Sequence, residues 1–161
     1  MNLANRDPVE FTRLQRLLVD RLLTSDAWFW AMLQLAPRHL IGTLLATDPT
    51  LLETVSRDER DRAHLILNEL MPISRRSRGI MNDGRFSGSP ADIDLAAISV
   101  PTLIVSAEDD RFGTAETART IADRVQSPRL VVYPSGGHIW LGHDQDLSEE
   151  VAGHLRRAQG S

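Results

Sequence analysis

Two short apolar runs in the C-terminal part of the chain constrain its fold more than any other feature. The segments "PTLIVSA" and "RLVVYP" are continuous apolar stretches rich in β-branched residues, bounded by turn-forming or charged residues. Such runs are typical of strands covered on both faces, as in a parallel sheet. The intervening segment "TAETARTIADRV" has the apolar spacing of an amphipathic helix, with Thr114 as its expected N-cap.

A further helix is predicted after the second run, over "DLSEEVAGHLRRA", where Asp146 and Glu149 have the spacing of a capping box. The order strand, helix, strand, helix with short connections predicts a right-handed parallel crossover, and therefore an α/β fold. Two parallel strands do not make a stable sheet by themselves. We therefore expect the chain to carry the edge of a larger sheet, completed by an N-terminal segment or by a second copy of the chain.

The part of the chain before these runs has helical patterns. Apolar residues recur at helical spacing in "DPVEFTRLQRLLVDRLLT", where Asp7 is the expected N-cap, and in "SDAWFWAMLQLA", which Ser25 or Asp26 would cap. In "SRDERDRAHLILNELM", Ser56 and Glu59 have the spacing of a capping box.

These patterns divide the chain into three parts. A helical region is predicted over residues 1–73, a connector over 74–99, and the strand-containing unit over 100–161. The connector is rich in Gly, Ser, Asp and Arg. Its only expected regular structure is one helical turn around residues 76–82.

Composition and charge argue against several classes of protein. The 161 residues suffice for one domain with a core, and the formal net charge of −4 disfavours a nucleic-acid partner, since phosphate binding needs a basic surface. Without cysteine the chain has neither a disulfide nor a thiolate metal site. No apolar run reaches the roughly 18 residues of a membrane span, and no signal-peptide pattern is present. We therefore expect a cytoplasmic protein that binds neither nucleic acid nor membrane.

Residues that carry chemistry follow both apolar runs. The first run leads into "SAEDDRFG", with Asp109 and Asp110, and the second into "PSGGHIWLGH", with His138. A buried carboxylate can hold an imidazole in one tautomer, and the imidazole can then activate a hydroxyl nucleophile. Acids at a strand end also often cap the next helix or stay solvated. An acid and a histidine at consecutive strand ends favour catalysis over these alternatives.

Residues 100–157 resemble the C-terminal end of the α/β-hydrolase fold, and the helical residues before the connector resemble the lid of that family more loosely. The family pattern is a strand, an acid loop, a helix, a strand and a Gly-His loop before the last helix. On that pattern the catalytic acid corresponds to Asp110, with Asp109 as the alternative, and the histidine to His138. Family members more often have glycine where this chain has Ala107. The resemblance implies a partial α/β-hydrolase fold and a serine-type hydrolase that acts on small apolar ester-like substrates and uses no cofactor.

The nucleophile that this resemblance requires is not in the sequence. In α/β-hydrolases the serine lies upstream of the acid and the histidine, on a G-x-S-x-G turn between a strand and a helix. Ser87 and Ser89 have glycine neighbours, but the spacing differs and no strand pattern precedes them. The chain is therefore predicted to supply the acid and the histidine, and to be inactive without an N-terminal segment that carries the serine. The alternative is a non-catalytic remnant that acts as a binding or dimerisation module.

Aromatic residues have two interpretations. Trp28, Phe29, Trp30 and Met32 either line an apolar substrate pocket under the lid or pack in a core. Trp140 either forms a wall of the active site or packs against the last helix. A metal site is not expected. The spacing of His143 and Asp144 from His138 does not suit ligands on one face of a helix, and the sequence has no second cluster of candidate ligands.

Overall fold

The computed structural model describes residues 24–87 and 93–159. The described helices are α1 (Asp26–Leu35), α2 (Pro37–Leu44), α3 (Arg57–Glu69), α4 (Ile73–Ser87), α5 (Thr114–Ala122) and α6 (Asp144–Gln159), and the described strands are β1 (Thr102–Ala107) and β2 (Pro128–Tyr133). Short 3-10 turns occur at Pro49–Glu53, Leu95–Ala97 and Gly137–Ile139. The expected first helix, with its cap at Asp7, lies outside the described residues.

One compact unit comprises the described residues up to Leu40 together with those from Leu65 to Ile93. Of the two residues predicted to cap α1, Ser25 is the N-cap, and its Oγ accepts the N–H of Trp28 at 3.4 Å. Helix α4 shows that the prediction of a single helical turn in the connector was wrong. Glycines and serines lower helix propensity, but tertiary contacts outweigh it here. Ile73 is fully buried, and the carboxylate of Asp26 accepts hydrogen bonds from both the N–H and the hydroxyl of Ser74 at 2.9 Å.

The other unit comprises Ile41–His64 and the described residues from Asp94 onward. Its strands pair in parallel, as predicted, with a register that runs from Thr102 opposite Pro128 to Ala107 opposite Tyr133. Both strands therefore end at the same edge of the sheet, and the next N–H, that of Glu108, still donates to the carbonyl of Tyr133 at 2.9 Å. This alignment places the acid loop beside the histidine loop.

Burial along the strands differs from the prediction of strands covered on both faces. The last two residues of β1 are buried and the earlier ones half-buried, while the first three residues of β2 are exposed. The buried part of the sheet is its carboxyl end, next to the acid and histidine loops. Ala115 and Ala118 of α5 are buried as well. Within the described residues β1 pairs on one edge only. The expectation that further strands complete the sheet stays a prediction.

The two compact units do not follow the division into residues 1–73, 74–99 and 100–161. Residues 41–64 belong to the same unit as both strands, although their sequence pattern groups them with the helical region. A lid function for residues 1–73 stays a prediction. In the described part of the chain, none of the helices has the length and apolar character needed to cross a membrane.

Candidate active site

The acid loop is a tight turn that directs Asp110 inward. The N–H of Asp110 donates to the carbonyl of Ala107 at 3.3 Å, and the Asp110 carbonyl accepts the N–H of Gly113 at 2.7 Å. Gly113 has φ +66°, a left-handed conformation that glycine adopts without steric cost. The Asp110 side chain is only 2% exposed. The turn thus delivers a carboxylate to a largely dry position.

Asp110 lies within hydrogen-bond distance of the imidazole of His138. Its Oδ2 is 3.0 Å from Nδ1 of His138 and also accepts the hydroxyl of Thr114. Its Oδ1 accepts the N–H of Phe112 at 2.9 Å. The ring of Phe112 meets the imidazole edge to face, with centroids 4.9 Å apart. The carboxylate therefore has three donors, of which one is the histidine.

The neighbouring acid, Asp109, contacts the backbone of the histidine loop. Its Oδ1 accepts the N–H of Gly137 at 2.8 Å and its Oδ2 that of Gly136 at 3.2 Å. The two adjacent carboxylates thus bind different parts of one loop, since Asp110 binds the ring of His138 and Asp109 binds the peptide groups before it. Of the two candidates for the acid, Asp110 is the one that lies within hydrogen-bond distance of the His138 ring.

The histidine loop needs glycine for two separate reasons. Gly136 and Gly137 have φ values of +124° and +60°, which side-chain-bearing residues rarely adopt. A Cβ at Gly137 would also lie 2.6 Å from the Cα of Thr47, which is fully buried. This close approach sets the ring of His138 at the end of the sheet, where its side chain is 45% exposed.

The surroundings of Asp110 favour its ionised form. Burial by itself would raise the pKa of Asp110, but hydrogen bonds from Thr114, His138 and Phe112 outweigh it, so the pKa lies below its usual value. An ionised carboxylate only accepts hydrogen bonds, so in the neutral form of the imidazole it is Nδ1 of His138 that carries the proton. The Nε2 atom then has a free lone pair and can act as a base.

A salt-bridged pair on α3 supports the histidine loop, which the sequence did not indicate. Arg62 donates from Nη2 to the carbonyls of Ile139 and Trp140 at 3.0 and 3.3 Å. It also pairs with Glu59 at 2.7 Å. Glu59 in turn accepts the N–H of Asp144, the first residue of α6, at 2.9 Å. Burial opposes ionisation of Glu59, but these hydrogen bonds outweigh it and its pKa is lowered.

Three predicted helix caps are corrected in part by these contacts. Ser56 does accept the N–H of Glu59 at 3.2 Å. The side chain of Glu59, however, binds Arg62 and the N-terminus of α6 rather than closing a capping box. Helix α6 begins at Asp144, so Asp146 lies inside its first turn and does not cap it. Helix α5 is preceded by Gly113 as its N-cap, and the hydroxyl of Thr114 binds Asp110 instead.

The predicted aromatic residues lie in different places. Phe29 is fully buried in the core of its unit, Trp28 and Trp30 are 48% and 57% exposed, and Met32 is half-buried. Trp140 is half-buried and ends the turn that begins at Gly137, with φ +50°. A substrate-binding role for all five stays a prediction.

The second histidine of the loop has separate contacts. His143 stacks on Tyr133 with ring centroids 4.1 Å apart, and its Nδ1 lies 3.4 Å from Oδ2 of Asp146. Over the described ranges, no three or more His, Asp or Glu side chains gather in a way that could hold a metal ion.

A family model described as serine aminopeptidase, S33, matches residues 13–146. Neither the curated proteins nor the solved structures contain a match to this chain. The family match covers most of the 161 residues, including both strands, the acid loop and His138. The parallel strand pair and the two loops at its end agree with a partial α/β-hydrolase fold. The chain therefore belongs to the serine aminopeptidase S33 family of α/β-hydrolases.

Proposed function

We propose that this chain supplies the acid and the histidine of a serine-type α/β-hydrolase, with Asp110 and His138 in those roles. The observation that carries the proposal is the 3.0 Å distance between Asp110 Oδ2 and His138 Nδ1, at the ends of adjacent parallel strands. A buried acceptor on Nδ1 and a half-exposed ring are the two features that a general base of this kind needs.

The proposed mechanism needs a serine from a G-x-S-x-G turn, which residues 1–161 do not contain. Nε2 of His138 takes the proton of that serine as its Oγ attacks the substrate carbonyl, and Asp110 stabilises the imidazolium that forms. His138 then donates the proton to the leaving group. In the second half of the cycle it activates the water that hydrolyses the acyl-enzyme. The chemistry uses side chains and backbone amides and requires no cofactor.

The proposed substrates are small apolar esters in the cytoplasm. Phe112 is 52% exposed and lies beside the imidazole, where it can contact an apolar group of a bound substrate. The aromatic residues of α1 and Trp140 are proposed as further substrate contacts. Because the family description names a peptidase, aminoacyl p-nitroanilides are the second substrate class to assay.

The test begins with the coding DNA upstream of residue 1, read in frame. A frame that encodes strands and a G-x-S-x-G turn supports the proposal, and the extended polypeptide should then hydrolyse p-nitrophenyl butyrate. In that polypeptide, Asp110→Asn should lower kcat by about 10⁴-fold, because the histidine loses the carboxylate that fixes its tautomer.

The matched control is Asp61→Asn, since Asp61 is an exposed acid in an ion pair with Arg57. It should leave kcat unchanged. Turnover by residues 1–161 alone that is lost in His138→Ala would contradict the proposal that the serine lies elsewhere. An upstream stop codon with no such segment would contradict it as well.

A second candidate function is a dimerisation module, which the single paired edge of β1 favours within the described residues. In this function a second copy of the chain would pair with the outer edge of β1. Sedimentation equilibrium should then show a dimer, and the β1 amides should gain hydrogen-exchange protection as the concentration rises. A monomer at all concentrations would exclude it.

A further inference from the structure

Two hydroxyl groups extend the contacts of Asp110 into the core. The hydroxyl of Thr114 donates to Oδ2 of Asp110, and Oγ of Ser106 lies 2.8 Å from Oγ1 of Thr114. Ser106 belongs to β1 and is 2% exposed. Thr114 is the first residue of α5. A row of hydrogen-bonded side chains therefore runs from buried Ser106, through half-buried Thr114, to the carboxylate of Asp110 and the half-exposed imidazole of His138.

Counting protons fixes the direction of these hydrogen bonds. Each hydroxyl has one proton to donate. Asp110 accepts only, so Thr114 must use its proton on Asp110. Thr114 can then only accept from Ser106, and Ser106 must be the donor of their hydrogen bond. Both hydroxyls thus donate in the direction of the carboxylate, which also accepts from His138 and from the N–H of Phe112.

We propose that Thr114 is a positioning residue that orients the carboxylate of Asp110 toward His138, and that Ser106 orients the hydroxyl of Thr114. The importance of these hydrogen bonds for catalysis rests on the proposed function. Their effect on the orientation of Asp110 and on the tautomer of His138 does not. Oδ2 of Asp110 holds both Thr114 and His138, while Oδ1 holds the N–H of Phe112. Without Thr114 one of the three donors is lost and the carboxylate can rotate about its χ2 bond.

The alternative is that Thr114 is only a packing residue near the start of α5. Valine has nearly the shape of threonine and keeps the packing, whereas serine keeps the hydroxyl and loses the methyl group. The pair Thr114→Val and Thr114→Ser therefore separates the two explanations. Thr117 lies on the same helix with an exposed side chain, so Thr117→Val is the matched control.

The experiment uses NMR on the protein of residues 1–161. Histidine ¹⁵N spectra report the tautomer of His138, and the ¹³C signal of the Asp110 carboxyl reports its titration. In Thr114→Val the midpoint of Asp110 should rise, since a hydrogen bond to its charged form is lost. The population of the His138 tautomer protonated at Nδ1 should fall at least about twofold, because the oriented carboxylate selects it. Thr114→Ser should restore both readouts, and Thr117→Val should change neither.

Several outcomes would overturn the proposal. Unchanged Asp110 titration and His138 tautomer in Thr114→Val would do so, even if the protein were destabilised. Failure of Thr114→Ser to restore the readouts would point to packing instead. If circular dichroism shows that Thr114→Val does not fold, Ser106→Ala is the variant that tests the proposal. It should change the Asp110 midpoint and the His138 tautomer population in the same directions, by a smaller amount. No change in either quantity would overturn the proposal.

The same variants distinguish this inference from the proposed function. If the NMR changes occur but the extended polypeptide has no hydrolase activity, the hydroxyl chain is correct and the proposed function is wrong. If the polypeptide is active, Thr114→Val should lower kcat about ten- to a hundredfold with little change in KM, because misorientation affects the reacting groups more than binding.

Discussion

At the scale of single residues, the two adjacent acids differ because their partners differ. Asp109 accepts two backbone N–H groups of the histidine loop, whereas Asp110 is nearly buried and binds side chains on both sides. Burial of a carboxylate without donors would favour the protonated form. The donors around Asp110 reverse that effect and lower its pKa, so its charge contributes to stability as well as to the proposed chemistry.

This shift predicts how stability depends on pH. A carboxylate whose pKa is lowered on folding stabilises the protein above its unfolded pKa, and the contribution is lost as the pH falls through the folded value. Asp110→Asn should therefore lower the free energy of unfolding near pH 7 by about 2 kcal/mol. The difference in free energy of unfolding between wild type and Asp110→Asn should narrow as the pH falls below 3.8, the ordinary pKa of an aspartate.

Urea unfolding from about pH 6 to about pH 3 measures this difference. The control Asp61→Asn should cost less than about 0.5 kcal/mol, because its ion pair is exposed. A constant difference between wild type and Asp110→Asn across this range would contradict the linkage.

At the scale of structural elements, the histidine loop packs at Gly137 against the backbone of Thr47. This approach is so close that position 137 has no room for a Cβ atom. Gly137→Ala should lower the free energy of unfolding by about 2–4 kcal/mol, from overpacking and from its positive φ together. Adding Thr47→Ala should not rescue it, because the new Cβ would still lie 2.6 Å from the Cα of Thr47. Thermal unfolding of the single and double variants measures the effect.

Gly153 provides the control for this prediction. It lies in α6, and a Cβ there would meet only the flexible ends of two side chains, those of Arg157 at 3.2 Å and Arg156 at 3.9 Å. Gly153→Ala should be neutral or slightly stabilising, since alanine favours helix. Rescue of Gly137→Ala by the Thr47 change would mean that the side chain, not the backbone, sets the limit.

The salt-bridged pair on α3 gives a second prediction at this scale. Arg62→Met removes the donor to the carbonyls of Ile139 and Trp140 and the ion pair of Glu59, which keeps the N–H of Asp144. Amides of residues 136–143 should then exchange hydrogen about tenfold faster, which corresponds to roughly 1.4 kcal/mol of local stability. Arg57→Met, on the same helix but with 85% of its side chain exposed, should leave these rates unchanged. Equal exchange rates in Arg62→Met and Arg57→Met would show that Arg62 does not stabilise the histidine loop.

At the scale of the whole molecule, apolar side chains remain exposed beside the sheet. Leu130 of β2 and Val151 and Leu155 of α6 are 37%, 41% and 55% exposed, although Arg129 and Glu150 link the same two elements at 2.6 Å. Exposed apolar groups of this kind favour association. Polar side chains thus link β2 and α6, but apolar side chains of the same two elements remain exposed.

We therefore predict that the chain self-associates and that Val151→Glu combined with Leu155→Glu makes it monomeric. Ser148→Glu with Gln159→Glu adds the same charge to exposed positions of α6 and should not have this effect. Sedimentation velocity between about 5 and 200 µM measures the difference. Monomeric wild type over this range would contradict the prediction.

The sequence alone determined the local parts of this protein, and the tertiary structure decided the contacts between distant residues. The apolar β-branched runs and the cap at Ser25 were predictable, because periodicity and capping depend on neighbours along the chain. The placement of Asp110 and His138 at one sheet edge followed from parallel pairing, which the resemblance to a known family reinforced. The roles of Thr114 and Arg62 and the length of α4 were not predictable. Thr114 had the pattern of an N-cap, but its hydroxyl binds Asp110 and Ser106, which lie four and eight residues away. Arg62 had the pattern of a solvated helix face, but it binds carbonyls 77 and 78 residues away. A hydrogen bond selects whatever donor folding brings within about 3 Å, and sequence periodicity carries no record of that distance.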